Sequence, residues 1–262
     1  MESKSVQRIL IDAFSGDVTG DSKEFFEELD NHLRGVSDDD LCAQLVAFDL
    51  AAEGHPLSTS AAINRAVRFL APDDEPPHDG LEREAWRILL SFLELRHGSG
   101  VYPMGRLSFI SDPLIRGLAE EARTDRPDAS TRRTTGKAGD LLAGLAVSRQ
   151  LREAVSSAVG TPVIPTYDAL YEYDPPESSA RCHTDSDAFE FTTHVLVEHT
   201  ADRAEGQSVM IVFRAGEVSP KRIALKPGDT VVIRGRGTIH RWERLGAKEH
   251  RILSAIGFRA GP

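Results

Sequence analysis

Apolar residues recur at helical spacing through the first part of the chain and in short β-prone runs through the second. Phe25, Phe26, Leu29 and Leu33 fall on one helical stripe behind Asp21-Ser22-Lys23-Glu24, which has the character of a capping box. Similar spacing over residues 41–52, 61–70, 81–95 and 141–158 predicts further helices. Gly54, Pro56, Pro72, Pro76-Pro77, Gly98 and Gly100 punctuate these runs as helix ends and loops. No repeat of fixed period is visible.

Past Gly160 the period changes. Residues 169–173, 180–183, 189–197, 208–213, 223–225, 230–234, 240–244 and 251–258 are strand-like, separated by turn residues such as Pro175-Pro176, Gly206, Pro227-Gly228 and Gly235-Arg236-Gly237. Eight short strands of this kind fit a double-sheet jelly roll, the cupin-like double-stranded β-helix. The expected class is therefore α+β, with a helical N-terminal region over 1–160 packed on a jelly-roll core over 161–262. Between them, residues 125–137 are polar, contain Pro127 and carry Arg132-Arg133, which reads as an exposed loop. A lid over a site would look like this, and so would an idle connection.

Composition narrows the class of partner. Charged residues make up 27% and hydrophobic residues 40%, an ordinary soluble balance. With 31 basic against 41 acidic residues the molecular field is negative, which argues against a nucleic acid partner. No apolar run approaches the roughly 18 residues that span a bilayer, and Met1-Glu2-Ser3-Lys4 lacks a basic-then-apolar leader pattern. No membrane partner and a cytoplasmic location are expected. Cys42 and Cys182 lie too far apart in sequence for a paired-Cys zinc motif and suit a reducing compartment.

The chemistry concentrates in the second part. His183-Thr184-Asp185 is followed by His240 and, eleven residues later, by Arg251. Two imidazoles and a carboxylate are the facial set that holds non-haem Fe(II) with coordination positions left open. With nine histidines and 41 acidic residues, about one His-x-acid pair arises by chance, so the pair alone is weak. Three features strengthen it. It falls at the end of a predicted strand, where alternate residues share a face. The second histidine opens another predicted strand in the same β-rich part. Arg251, suited to a bidentate grip on a carboxylate, follows at hairpin reach.

For other candidates the plain reading prevails. His194 and His199 are five apart, so on one continuous strand they face opposite ways and at most one lines the barrel; each reads as a hydrogen-bonded structural or surface histidine. Strand alternation turns Cys182 and His250 away from the site. Trp242 can face substrate or core. Arg214 and Arg259 read as exposed arginines near sheet ends, and Asp38, Asp39 and Asp40 as charge at a helix start.

Tyr173-Asp174-Pro175, His183-x-Asp185, the segment Glu205-Gly206-Gln207-Ser208 running to Phe213, Lys226-Pro227-Gly228-Asp229, His240 and Arg251 together resemble the ordered landmarks of the 2-oxoglutarate/iron(II)-dependent oxygenases, closest to the prolyl-hydroxylase-like branch. The resemblance covers roughly residues 164–258 and does not extend into the helical region. It implies that His183, Asp185 and His240 bind Fe(II), that Arg251 binds the far carboxylate of 2-oxoglutarate, and that Tyr173 or its competitor Tyr171 lines the co-substrate pocket. It also implies use of O2, release of succinate and CO2, and oxidation of a C–H bond by hydroxylation, desaturation or cyclisation. Asp185 stands where halogenating relatives carry Gly or Ala, so halogenation is not expected. Two departures concern the pocket lining: Glu205-Gly206 replaces paired glycines, and Ser254 falls one place late after Arg251. A small molecule such as an amino acid or natural-product intermediate is the preferred substrate, with a peptide or carrier protein left open. The competing readings are a cupin-type metalloenzyme that does not use 2-oxoglutarate and a non-catalytic jelly-roll binding protein.

Overall fold

A computed structural model describes residues 5–16, 22–51, 57, 59–124, 133–178, 180–200 and 208–262. Five helices come first: α1 (Val6–Ser15), α2 (Ser22–Leu33), α3 (Leu41–Ala51), α4 (Ser60–Leu70) and α5 (Gly80–His97). Then follow β1 (Val101–Arg106), α6 (Asp112–Thr124), β2 (Thr134–Lys137), α7 (Asp140–Ala146) and α8 (Arg149–Val159). The remaining strands are β3 (Val163–Asp174), β4 (Phe191–Thr200), β5 (Ser208–Phe213), β6 (Lys221–Leu225), β7 (Asp229–Ile233), β8 (Ile239–Trp242) and β9 (His250–Ala260).

Helix starts follow local chemistry. Ser5, Thr59 and Ser148 cap α1, α4 and α8 by accepting from the backbone N–H three residues on, each cap contributing about 1 kcal/mol. Ser148 also explains why the apolar run 141–158 is two helices rather than one. Gly160 ends α8 in the left-handed region at φ 73°, a conformation that favours glycine, and the chain turns there into β3. The Asp21 end of the expected capping box lies outside the described residues.

Two antiparallel sheets face one another. The larger has the order β1-β7-β4-β9-β3-β2, and the smaller has the order β6-β5-β8. Leu196, Val231, Ile233 and Leu253 of the larger sheet pack in one cluster with Met210, Val212, Ile223, Leu225 and Trp242 of the smaller, so the inner faces meet as a jelly roll. Helices cover both outer faces. α1 to α5 pack their apolar stripes on Ile211, Phe213 and Ile239 of the smaller sheet. Residues of α6, α7 and α8 pack on Tyr171, Tyr173, Phe191, Val195, Ile252 and Ile256 of the larger.

The structure redraws three expectations. Residues 101–106 and 134–137 are the two edge strands of the larger sheet, so the β-structure is not confined to 161–262. Both are short and polar or interrupted by Pro103 and Gly105, as protected edges are, and carry little periodic signal. Residues 134–137 of the polar stretch are thus fixed in a sheet, while 125–132, the rest of that candidate lid, lie outside the described residues. Residues 180–183 contribute only one bridge, His183 to His240.

Candidate metal centre

His183 and His240 meet through that bridge. The backbone N–H of each donates to the carbonyl of the other, at 3.0 and 2.9 Å, and the rings stand 4.4 Å apart between centroids. Asp185 arrives without a strand, its N–H donating to the Gly235 carbonyl at 3.1 Å. The irregular segment around it is clamped from outside by the helical layer. Asp74 accepts from the Cys182 N–H at 2.9 Å. Asn64 of α4 accepts from the Thr184 N–H at 2.7 Å and donates to the Thr184 carbonyl at 3.0 Å. The Asp187 carboxylate in turn accepts from the Ser60 N–H at the start of α4, at 3.0 Å. Nothing in the sequence pattern flags Asn64 or Asp74.

Gly235 makes room for the carboxylate: a Cβ there would lie 2.6 Å from the Asp185 Cβ and 2.7 Å from its Oδ2. One ligand atom from each of His183, Asp185 and His240 lies within 4.8 Å of the others. The Nε2 atoms of His183 and His240 are 3.9 and 3.6 Å from Asp185 Oδ1.

The protonation states suit a cation. Nδ1 of His183 faces the Arg181 carbonyl at 2.7 Å, and Nδ1 of His240 faces the Thr238 carbonyl at 3.1 Å. Each Nδ1 must then carry a proton, so in the neutral form of either ring the Nε2 lone pair is the one turned to the carboxylate. Burial, with His240 and Arg133 adding to it, lowers the His183 pKa to about 4, so the ring is neutral at physiological pH, as ligation requires. Burial would raise Asp185, but His240, His194 and His183 outweigh it and hold the carboxyl below its usual range. The buried His240 Nε2 and Asp185 Oδ2 have no hydrogen-bond partner among the described residues. Orphaned buried acceptors are costly, and one divalent cation would satisfy them together.

Further in, the space between the sheets is charged. Arg251 is buried on the inner face of β9, with its guanidinium carbon 4.7 Å over the Trp242 ring. Its Nε and Nη2 donate to Asp174 Oδ2 at 2.8 and 2.6 Å, and Nη1 donates to Ser208 Oγ at 2.8 Å. Trp242 meets His194 edge-on at 6.0 Å, and the His194 ring lies 6.3 Å from that of His240. Contacts therefore run without a break from the histidine–aspartate cluster to Arg251. Arg133, just before β2, reaches Glu172 Oε2 at 2.6 Å and Asp174 Oδ1 at 3.5 Å.

Several expected site residues stand elsewhere. Tyr171 and Tyr173, expected to line the co-substrate pocket, point from the opposite face of β3 into the helical layer. Their hydroxyls donate to Glu121 at 2.7 Å and to the Ala122 carbonyl at 2.6 Å, both on α6. Alternation along β3 instead turns Glu172 and Asp174 inward, residues with no sequence signal beyond being acidic neighbours of tyrosines. Ser254 pairs across the ladder with Tyr171 and so takes the outer face, while Ser208 supplies the hydroxyl beside Arg251. His194 is inward-facing, and neither ring nitrogen has a hydrogen-bond partner among the described residues, contrary to the plain structural reading. A bulge between Leu196 and Glu198 shifts the alternation of β4, so that His199 pairs across the ladder with Arg251. Cys182 packs among apolar residues of the helical side, where burial pushes its thiol up to about 12. Arg214 pairs weakly with Glu94 and Glu217.

No protein-family model matches the chain, and no curated protein matches it. Similar solved structures include the non-haem α-ketoglutarate-dependent epimerase SnoN from nogalamycin biosynthesis: 18% identity, 67% of this chain and 83% of that one, TM-score 0.47. HygX from Streptomyces hygroscopicus, with nickel, 2-oxoglutarate and hygromycin B bound, is similar at 13% identity over 64% of this chain and 86% of its own, TM-score 0.49. A Pseudomonas putida prolyl-4-hydroxylase is similar at 17% identity over 66% and 99%, TM-score 0.43. Likeness at this level leaves function to be read from the residues of the site.

Proposed function

We propose that the chain is a 2-oxoglutarate/Fe(II)-dependent oxygenase that oxidises a C–H bond of a small molecule. His183, Asp185 and His240 would hold the iron, and Arg251 would take the far carboxylate of 2-oxoglutarate. The observation that carries the reading is the convergence of two imidazoles, that of His183 held neutral by burial, and a carboxylate held below its usual range, with orphaned buried atoms, at one end of a charged jelly-roll interior. Three protein ligands leave positions for co-substrate and oxygen, and the bound metal with its 2-oxo acid supplies the oxidising chemistry. The chain's part is to fix and exclude. The carbonyls of Arg181 and Thr238 hold the ring tautomers, Asn64 and Gly235 hold Asp185 in reach, and the helical layers keep water from both sheet faces.

Of the five N–H groups of Arg251, three are engaged by Asp174 and Ser208. Among the described residues, one N–H on each Nη has no partner. One observation favours a second reading, a cupin-type metalloenzyme that does not use 2-oxoglutarate: Arg251 already carries a carboxylate of the chain itself.

The deciding experiment loads the purified chain anaerobically with Fe(II), then adds 2-oxoglutarate and oxygen. One iron per chain and slow succinate release are expected, both lost in His240→Ala. Iron binding without any succinate supports the cupin reading. Undiminished iron binding in His240→Ala removes the ligand assignment.

A further inference from the structure

Asp174 and Arg251 lie directly opposite each other in the β3–β9 register, and both are buried at 1% exposure. This is a buried pair, with two donors converging on a single carboxylate oxygen. The other oxygen of Asp174 already leans toward Arg133, whose Nη2 is paired with Glu172. The inner wall thus carries two cations, Arg133 and Arg251, and two anions, Glu172 and Asp174, balanced before any ligand arrives.

The metal end has its own balance. A divalent cation with Asp185 and two neutral imidazoles keeps one positive charge, which the 1-carboxylate of a 2-oxo acid cancels. The second carboxylate of a dicarboxylic 2-oxo acid then finds no free countercharge. Placed beside Asp174 on the same guanidinium, it would meet a like charge a few ångströms away in a poorly screened interior, where repulsion is strong.

We propose that Asp174 is an internal competitor for the co-substrate's distal carboxylate: 2-oxoglutarate binds by exchanging with Asp174 on Arg251, and Arg133 receives the displaced aspartate. Asp174 thereby sets how far the site prefers a dicarboxylic over a monocarboxylic 2-oxo acid. This rests on the 2-oxo-acid reading above and assigns roles to Asp174 and Arg133 that the sequence did not suggest. The roles are positional: neither residue touches the metal ligands' coordinating atoms.

The test measures binding by calorimetry to Mn(II)-loaded protein, with 2-oxoglutarate and with 2-oxopentanoate, which has the same carbon chain without the distal carboxylate. In the wild type, 2-oxoglutarate is expected to bind only a few-fold more tightly than the monoacid. Asp174→Asn should tighten 2-oxoglutarate by about tenfold or more while 2-oxopentanoate stays within about twofold. Arg133→Gln, which takes away the receiving cation, should weaken 2-oxoglutarate alone. Should Asp174→Asn fail to fold, the wild-type preference and Arg133→Gln still decide: a wild-type preference above about a hundredfold, or an Arg133→Gln protein that binds 2-oxoglutarate normally, overturns the exchange. Equal or weaker 2-oxoglutarate binding in folded Asp174→Asn also overturns it, making Asp174 a simple support for the arginine. If neither acid binds the metal-loaded wild type, the 2-oxo-acid reading itself is wrong and the competition falls with it.

Discussion

β3 has two faces built by alternate residues of one strand, and they follow different rules. Tyr171 and Tyr173 point outward into an apolar layer, where each hydroxyl finds one partner on α6. Glu172 and Asp174 point inward, where with Arg133 and Arg251 they form a wall of four charges in which partners are shared and some acceptors go unsatisfied among the described residues. The outer face behaves as a core: apolar area is buried and the tyrosine hydroxyls are satisfied locally, while the Ser254 hydroxyl opposite Tyr171 has no hydrogen-bond partner among the described residues. On the inner face the unpaired atoms belong to ionisable side chains that converge on one another, and such a cluster marks chemistry better than any single residue type does.

The largest effects should separate the two faces. Arg251→Ala leaves Asp174 buried with Arg133, at 3.5 Å, as its one ion-pair partner among the described residues, and is expected to cost about 3–5 kcal/mol in chemical denaturation. Trp86→Ala breaks an apolar outer layer instead, that of the smaller sheet, where Trp86 meets Phe213 edge-on at 5.7 Å. It should cost a similar ~3–5 kcal/mol yet leave divalent-cation affinity unchanged in the folded fraction. A loss of metal affinity there would mean that the outer apolar layer and the inner site are not independent.

Acidification should act on the site and its flank together. Burial lowers His183 to about 4, and burial with Arg236 and Arg96 lowers His97 to about 4. Below the ordinary histidine value of about 6.5 the unfolded chain binds protons that the folded chain refuses. Stability of the metal-free protein should therefore be full above about pH 6.5 and fall as pH drops toward 4. Urea midpoints at pH 7 and pH 5 check this, and His97→Gln should flatten the slope; a midpoint that rises on acidification contradicts the assignment.

Smaller effects sharpen the comparison. Asn64→Ala removes the clamp on the Thr184 backbone and should weaken metal binding about tenfold. Its stability cost should be only about 1–3 kcal/mol. Tyr173→Phe deletes one buried hydrogen bond, for about 1 kcal/mol, and should change neither metal nor 2-oxo-acid affinity. A clear loss of 2-oxo-acid binding in Tyr173→Phe would restore the tyrosine to the pocket.

The sequence alone carried the change of period at Gly160, most helices and strands, and the histidine–aspartate–histidine set, because alternation, helical spacing and ligand chemistry are local properties of the chain. It missed β1 and β2, whose few polar or interrupted residues become strands only by pairing with β7 and β3. It placed the tyrosines of β3 on the wrong side, since alternation says which residues share a face but not which face looks inward. That choice belongs to packing: α6 offers acceptors for two hydroxyls, while Arg133 and Arg251, distant in sequence, offer charges for Glu172 and Asp174. The bulge in β4 likewise turns His199 onto the same inner face as Arg251, against strict alternation. Residue identities thus determined which chemistry the chain can carry, and only tertiary pairing decided that Arg251 already holds a carboxylate of its own, because that contact joins residues 77 apart in sequence.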